Sequence, residues 1–150
     1  MASYFLDSSA IVKRYLTEVG SGWVRSITDP IAGNDIYLAR ITGVEVVSAL
    51  VRQNPPPPLL ARNLSDFKND FHSQFQLISV NSAVITRAMD LAEAHRLRGY
   101  DAAQLAAAVE WQRVGTSIGL LLLTFVSADG HLNAAATREG LTVDNPLSHP

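Results

Sequence analysis

An uncharged apolar run, Tyr4-Phe5-Leu6, stops at Asp7, and Ser8-Ser9-Ala10-Ile11-Val12 follows at once with helix-forming character. A run of that kind is the pattern of a strand covered on both faces. Ser8 and Ser9 are N-cap candidates for a helix continuing through Ala10 towards Leu16. A strand that passes directly into a helix has its carboxyl end at Asp7. Open α/β sheets collect their ligands and chemistry along that edge. Asp7 is therefore expected there, as the first of several carboxylates gathered around a metal ion.

The remainder of the chain keeps alternating between the two periodicities. A short helix is expected over residues 23–27 and a second strand over 36–39. A helix follows over 42–52, with Thr42 and Glu45 spaced as a capping box. Asn54 and the prolines at 55–58 end it and make a stiff connector. Leu59, Leu60, Leu64, Phe67, Phe71 and Phe75 then recur at mixed three- and four-residue spacing, the pattern of an amphipathic helix. A third strand is expected over 75–80, and Ser82 should cap a helix over 83–97. Asp101 should start an alanine-rich helix ending near 113–115, with Gln104 as its capping partner. A fourth strand over 119–126 turns at Asp129 into a last helix, which Gly140 ends before a strand over 141–143. Strands and helices in this order predict an α/β fold. Its central sheet, mostly parallel and of about five short strands, carries helices on both faces in one domain spanning residues 1–150.

Bulk properties narrow the chemistry. The chain has 150 residues, 47% hydrophobic and 17% charged, enough for one substantial core. A net charge of −2 gives no general attraction to nucleic acid, so such contacts would need a local basic patch. With no cysteine, thiolate metal sites, disulfides and cysteine nucleophiles are excluded. The start lacks the pattern of a signal peptide, and the most apolar run, 118–126, is about half the ~20 residues of a membrane span. A soluble, cytoplasmic protein without membrane contact is the expectation.

Three acids end strands or begin helices, Asp7, Asp101 and Asp129, and Glu45 lies in the first turn of another helix. Each could be a simple capping residue. Asp7 fits that reading least well, because Ser8 or Ser9 could cap its helix. An ionised carboxylate against an apolar strand end needs compensation, and a hard divalent cation supplies it. Clustered carboxylates with Mg²⁺ suit phosphodiester hydrolysis: one ion activates a water, and a second roughly 4 Å away can stabilise the departing oxygen. The four histidines show no ligand spacing. An aspartate-nucleophile phosphatase would want a second aspartate at position 9, where this chain has Ser9. A receiver domain would want an aspartate at the end of a middle strand.

At these residues the chain resembles the PIN-domain ribonucleases, particularly the VapC-type toxins of toxin–antitoxin pairs. Leu6-Asp7-Ser8-Ser9-Ala10 resembles the family's opening motif, and Glu45 its glutamate. Residues 100–108, Tyr-Asp-Ala-Ala-Gln-Leu-Ala-Ala-Ala, resemble the third acidic motif most specifically. Thr124-Phe125-Val126-Ser127-Ala128-Asp129 resembles the fourth, and 139–146 the closing strand. The resemblance implies a PIN-like α/β/α sandwich and a Mg²⁺- or Mn²⁺-dependent endoribonuclease leaving a 5′-phosphate and a 3′-hydroxyl. It also implies inhibition by a cognate antitoxin, and a homodimer. Asp7, Asp101 and Asp129 would be metal ligands and Glu45 would orient the water, so all four are the catalytic candidates. Ser8 and Ser127 would support them. The prolines at 55–58 and the Gly130-His131 pair depart from the family's usual pattern. Lys13, Arg14, Arg40 and Arg98 lie near the acids in sequence, and Arg40 and Arg98, which adjoin the loops to Glu45 and Asp101, are the preferred candidates for holding the RNA backbone. The alternative from another class is a PIN-fold binding module without catalysis, which the complete acidic set argues against.

Overall fold

The computed structural model describes residues 1–119 and 122–150. Five strands form one parallel sheet: β1 (Ser3–Leu6), β2 (Asp35–Ala39), β3 (Gln76–Ile78), β4 (Leu123–Val126) and β5 (Thr142–Asp144), in the order β3-β2-β1-β4-β5. Every pairing among the described residues is parallel. Helices α1 (Ser8–Ile11), α2 (Ser21–Thr28), α3 (Thr42–Arg52), α4 (Pro57–Ser73), α5 (Ser82–His95), α6 (Gly99–Ser117) and α7 (Gly130–Arg138) connect the strands.

The period-two alternation of the strands divides the core. Phe5, Ala39 and Phe125 face α5, α6 and α7, whereas Leu6, Leu38 and Val126 face α1 to α4. Phe5 and Phe125 are paired across β1 and β4 and their rings stack at 5.6 Å. Ala102, Ala103, Ala106, Ala107 and Ala108 are buried, and these small side chains let α6 lie close against its neighbours. The chain leaves β1 towards β2 on one side and β4 lies on the other. The carboxyl ends of β1 and β4 therefore form the crevice where the winding direction reverses.

Several boundaries differ from expectation. α1 gives way to a 3₁₀ turn over Val12–Arg14 instead of running to Leu16. α5 is capped by Asn81, whose side chain accepts the Val84 N–H, rather than by Ser82. The third strand shortens to Gln76–Ile78. The expected fourth strand covered 119–126; Gly119 sits at φ +74 in a turn, 120–121 lie outside the described residues, and the strand begins at Leu123.

Neither expected capping box at Glu45 or Asp101 forms. α3 begins after Ile41 with no side-chain cap, because the Thr42 hydroxyl is turned inward to Gln104. α6 begins at Gly99, which places Asp101 inside its first turn rather than at its cap.

Candidate active site

Asp7 follows Leu6 at the end of β1, and its N–H donates to the Val126 carbonyl at 3.1 Å, tying the ends of β1 and β4 together. Its Oδ1 accepts the Ala10 N–H at 2.9 Å, so Asp7 itself caps α1 and the serines do not. Capping uses only part of its capacity. Ser9 Oγ donates to Oδ1 and Ser127 Oγ to Oδ2, each at 2.7 Å. Of about four acceptor positions on a carboxylate, three are taken, and the one left lies on Oδ2.

The two hydroxyls are fixed by their other partners. Ser9 Oγ accepts the Ala128 N–H at 2.9 Å and Ser127 Oγ accepts the Asp129 N–H at 3.0 Å. Both hydroxyl protons are thereby directed at Asp7. The supporting hydroxyl beside Ser127 is thus that of Ser9, not the expected Ser8. Ser8 makes no side-chain hydrogen bond among the described residues and lines a cleft nearby.

Asp7 is 2% exposed and no basic side chain pairs with it among the described residues. Burial pushes its carboxyl from 3.8 up to about 6. The bonds from Ser127, Ser9 and Ala10 pull it down, and the charge on Asp101 raises it further. Two hydroxyls soften this burial without neutralising the charge.

Asp101 is half-buried in the first turn of α6. Burial raises its carboxyl first, followed by the charges of Asp129 and Glu45, while Arg98 and His131 oppose the shift. Asp101 therefore feels Asp129 and Glu45 and is felt by Asp7. Asp101 thus lies within electrostatic reach of each of the other three acids.

Asp129 caps α7 through Oδ1, which accepts the His131 and Leu132 N–H groups at 2.9 and 3.1 Å. Its Oδ2 has no hydrogen bond among the described residues. Glu45 is held by Gln104, whose Nε2 donates to Oε2 at 2.6 Å. The Gln104 carbonyl accepts the Thr42 hydroxyl at 2.8 Å, and both residues are buried. That pair fixes the amide's orientation, so its NH₂ must face the carboxylate.

Among the basic candidates, Arg98 is exposed at the N-cap of α6 and its charge favours ionised Asp101. Arg40 is exposed past the end of β2. Lys13 and Arg14 are spent elsewhere, on Glu18 at 2.9 Å and Asp70 at 3.1 Å. Sequence reasoning missed Ser9 as the Asp7 donor and Gln104 as the Glu45 donor. The signal for Gln104 was available: one amide among Ala102, Ala103, Leu105 and Ala106 must find partners if that face is buried.

Among the described residues, no three His, Asp or Glu side chains converge closely enough to hold a metal ion by themselves. The donor set nevertheless suits a hard cation. It is all carboxylate oxygen, with open positions on Asp7 Oδ2 and Asp129 Oδ2. Mg²⁺ takes one or two direct carboxylates and keeps several of its waters, so it does not need a closed protein cage.

The family profile of the PIN domain matches residues 4–136 of the chain. Over 113 residues the chain is 34% identical to ribonuclease VapC45 of Mycobacterium tuberculosis, covering 73% of this chain and 76% of that protein. Its fold is similar to that of FitAB bound to an IR36 DNA fragment, with a TM-score of 0.63 at 14% identity over 96% of this chain and 95% of that one. It is also similar to VapC20 of Mycobacterium tuberculosis, described as a sarcin–ricin loop cleaving toxin. There the TM-score is 0.62 at 15% identity, over 89% of this chain and 95% of that one.

Proposed function

The chain belongs to the PIN-domain family, with relatives among the VapC ribonucleases, and from that premise we propose that it is a divalent-metal-dependent endoribonuclease acting as the toxin of a toxin–antitoxin pair. The observation that carries the reading is Asp7. It is a buried carboxylate with no cationic partner among the described residues and one acceptor position open, and the charge it feels is that of Asp101, itself beside Asp129 and Glu45. A fold kept only for binding has no use for that burden.

Asp7 and Asp129 would hold Mg²⁺ or Mn²⁺ directly, and Asp101 directly or through water. When bound, the ion supplies charge for the scissile phosphate and acidifies a water. The chain's own groups do the rest. Ser9 and Ser127 hold Asp7 in one orientation, and Gln104 holds Glu45. Glu45 is the group suited to orient the attacking water and take its proton. Water adds to phosphorus and the bond to the 3′ oxygen breaks. That oxygen takes a proton from solvent water and leaves as a hydroxyl, and the phosphate stays on the 5′ side. At pH 7 Asp7 is mostly ionised, as the ion requires.

Solved relatives of this fold include toxin–antitoxin complexes. An antitoxin would inhibit by covering the acidic crevice, most simply with a basic side chain that replaces the cation's charge. Incubation of the purified protein with single-stranded RNA tests the reading. Cleavage in Mg²⁺ or Mn²⁺ that chelation stops and Asp7→Asn abolishes is the expected result. Cleavage that survives Asp7→Asn would overturn it.

A further inference from the structure

Beside the acidic crevice lies a cleft of about 410 Å³ between α1, α3 and the start of α6. Glu45, Ser48 and Arg52 line it from one face of α3, at the i, i+3 and i+7 spacing that aligns side chains along a helix. They span about 10 Å of the helix. Ser8 closes it from α1 and Tyr100 from α6. Arg52 is exposed and forms no ion pair among the described residues, unlike Arg14, Arg87 and Arg113. Tyr100 adjoins Asp101 and is 47% exposed, and its hydroxyl makes no hydrogen bond among the described residues. One cleft therefore brings together an acid of the proposed active site, an exposed aromatic ring and an uncommitted guanidinium.

Resting on the ribonuclease reading above, we propose that this cleft is a substrate subsite for single-stranded RNA, in which the Tyr100 ring stacks on a base next to the scissile phosphate and Arg52 holds a neighbouring phosphate. Stacking on an aromatic face, with a cation following the backbone, is the recurring physics of single-strand binding, and it requires unpaired bases. A duplex keeps its bases stacked on one another and offers Tyr100 no face. The chain's net charge of −2 gives no general attraction to RNA. Placement of the strand must then come from local groups such as Arg52, and Glu45 marks the end of the cleft nearest the reaction. Tyr100 and Arg52 act on binding, not on the bond-breaking step.

The test measures fluorescence anisotropy of a short dye-labelled RNA of mixed sequence, single-stranded or annealed to its complement. The protein is the Asp7→Asn chain, where asparagine still caps α1. Tyr100→Ala should weaken single-strand binding about tenfold, and Tyr100→Phe should leave it unchanged. Arg52→Gln should lower the slope of log Kd against log salt by about 0.7, which Arg52→Lys restores. In the cleaving wild-type background, Tyr100→Ala should raise KM with kcat little changed.

Unchanged RNA binding in Tyr100→Ala and Arg52→Gln, with wild-type cleavage intact, would overturn the subsite and leave the ribonuclease reading standing. The same holds if these variants weaken only an inhibitory protein partner, or if duplex binds as well as single strand. A wild-type chain that neither binds nor cleaves RNA in Mg²⁺ would remove both.

Discussion

Asp7 and Asp70 are both carboxylates withdrawn from water and bonded by side-chain hydroxyls, yet only one of them faces a cation. Asp70 Oδ2 accepts from Arg14 Nε at 3.1 Å and from the Tyr15 hydroxyl at 2.7 Å, and Arg14 is fixed in turn by the Thr28 hydroxyl at 2.9 Å. Burial, and then Asp70 itself, hold the Tyr15 phenol far above its ordinary range, so it remains a donor. That cluster is complete: the charge is matched and it pins α4 to the turn after α1. Asp7 is offered the same kind of hydroxyl donors but no guanidinium, and the acid Asp101 in place of a base. The difference separates a carboxylate that holds the fold from one that waits for an ion.

The largest expected effect is on turnover. Asp7→Asn should reduce RNA cleavage at least about hundredfold, while Asp70→Asn leaves cleavage near wild type at a temperature where both proteins are folded. Comparable losses from both would erase the distinction.

Stability should separate the two carboxylates next. The Asp7 carboxyl is raised from 3.8 to about 6, so between those values the folded chain binds more protons than the unfolded one. Stability from this group is then full below 3.8 and is lost as pH rises through 6, a change of about 3 kcal/mol. Without divalent ions, Asp7→Asn should therefore melt higher than wild type at pH 7, and the gap should close as pH falls towards 4. Asp70→Asn should do the reverse at pH 7. It weakens a matched ion pair and costs about 2 kcal/mol in urea unfolding.

Ser127→Ala gives the smallest effect and the sharpest one. Removing a donor to Asp7 costs about 1 kcal/mol. It should also move the acid limb of the pH–rate profile upward, because that bond pulls the Asp7 carboxyl down. A profile that stays in place would mean Asp7 does not set the limb.

Local patterns in the sequence carried most of the fold. The apolar run before Asp7, the helix over 42–52 and the turn at Asp129 all depend on neighbours along the chain, and each appears close to its expected bounds. Long-range choices were not legible. Thr42 looked like a cap because Glu45 follows at the right spacing, but its hydroxyl bonds Gln104, 62 residues away. Ser8 and Ser9 are indistinguishable in sequence. Only the pairing of β1 with β4 puts Ala128 within reach of Ser9 and so decides which hydroxyl serves Asp7. At Asp7 and Asp129 capping does not exclude a ligand role. A carboxylate has enough acceptor positions for both, and each caps its helix while keeping one oxygen able to accept more.

The most direct measurement is the melting temperature of wild type, Asp7→Asn and Asp70→Asn at pH 7, titrated with Mn²⁺. An ion that binds only the folded chain stabilises it by about 2.7 kcal/mol at a hundredfold excess over Kd. The account predicts a rising melting temperature for wild type and Asp70→Asn, and a flat one for Asp7→Asn. Equal shifts in all three proteins, or none in any, would contradict a metal centre at Asp7.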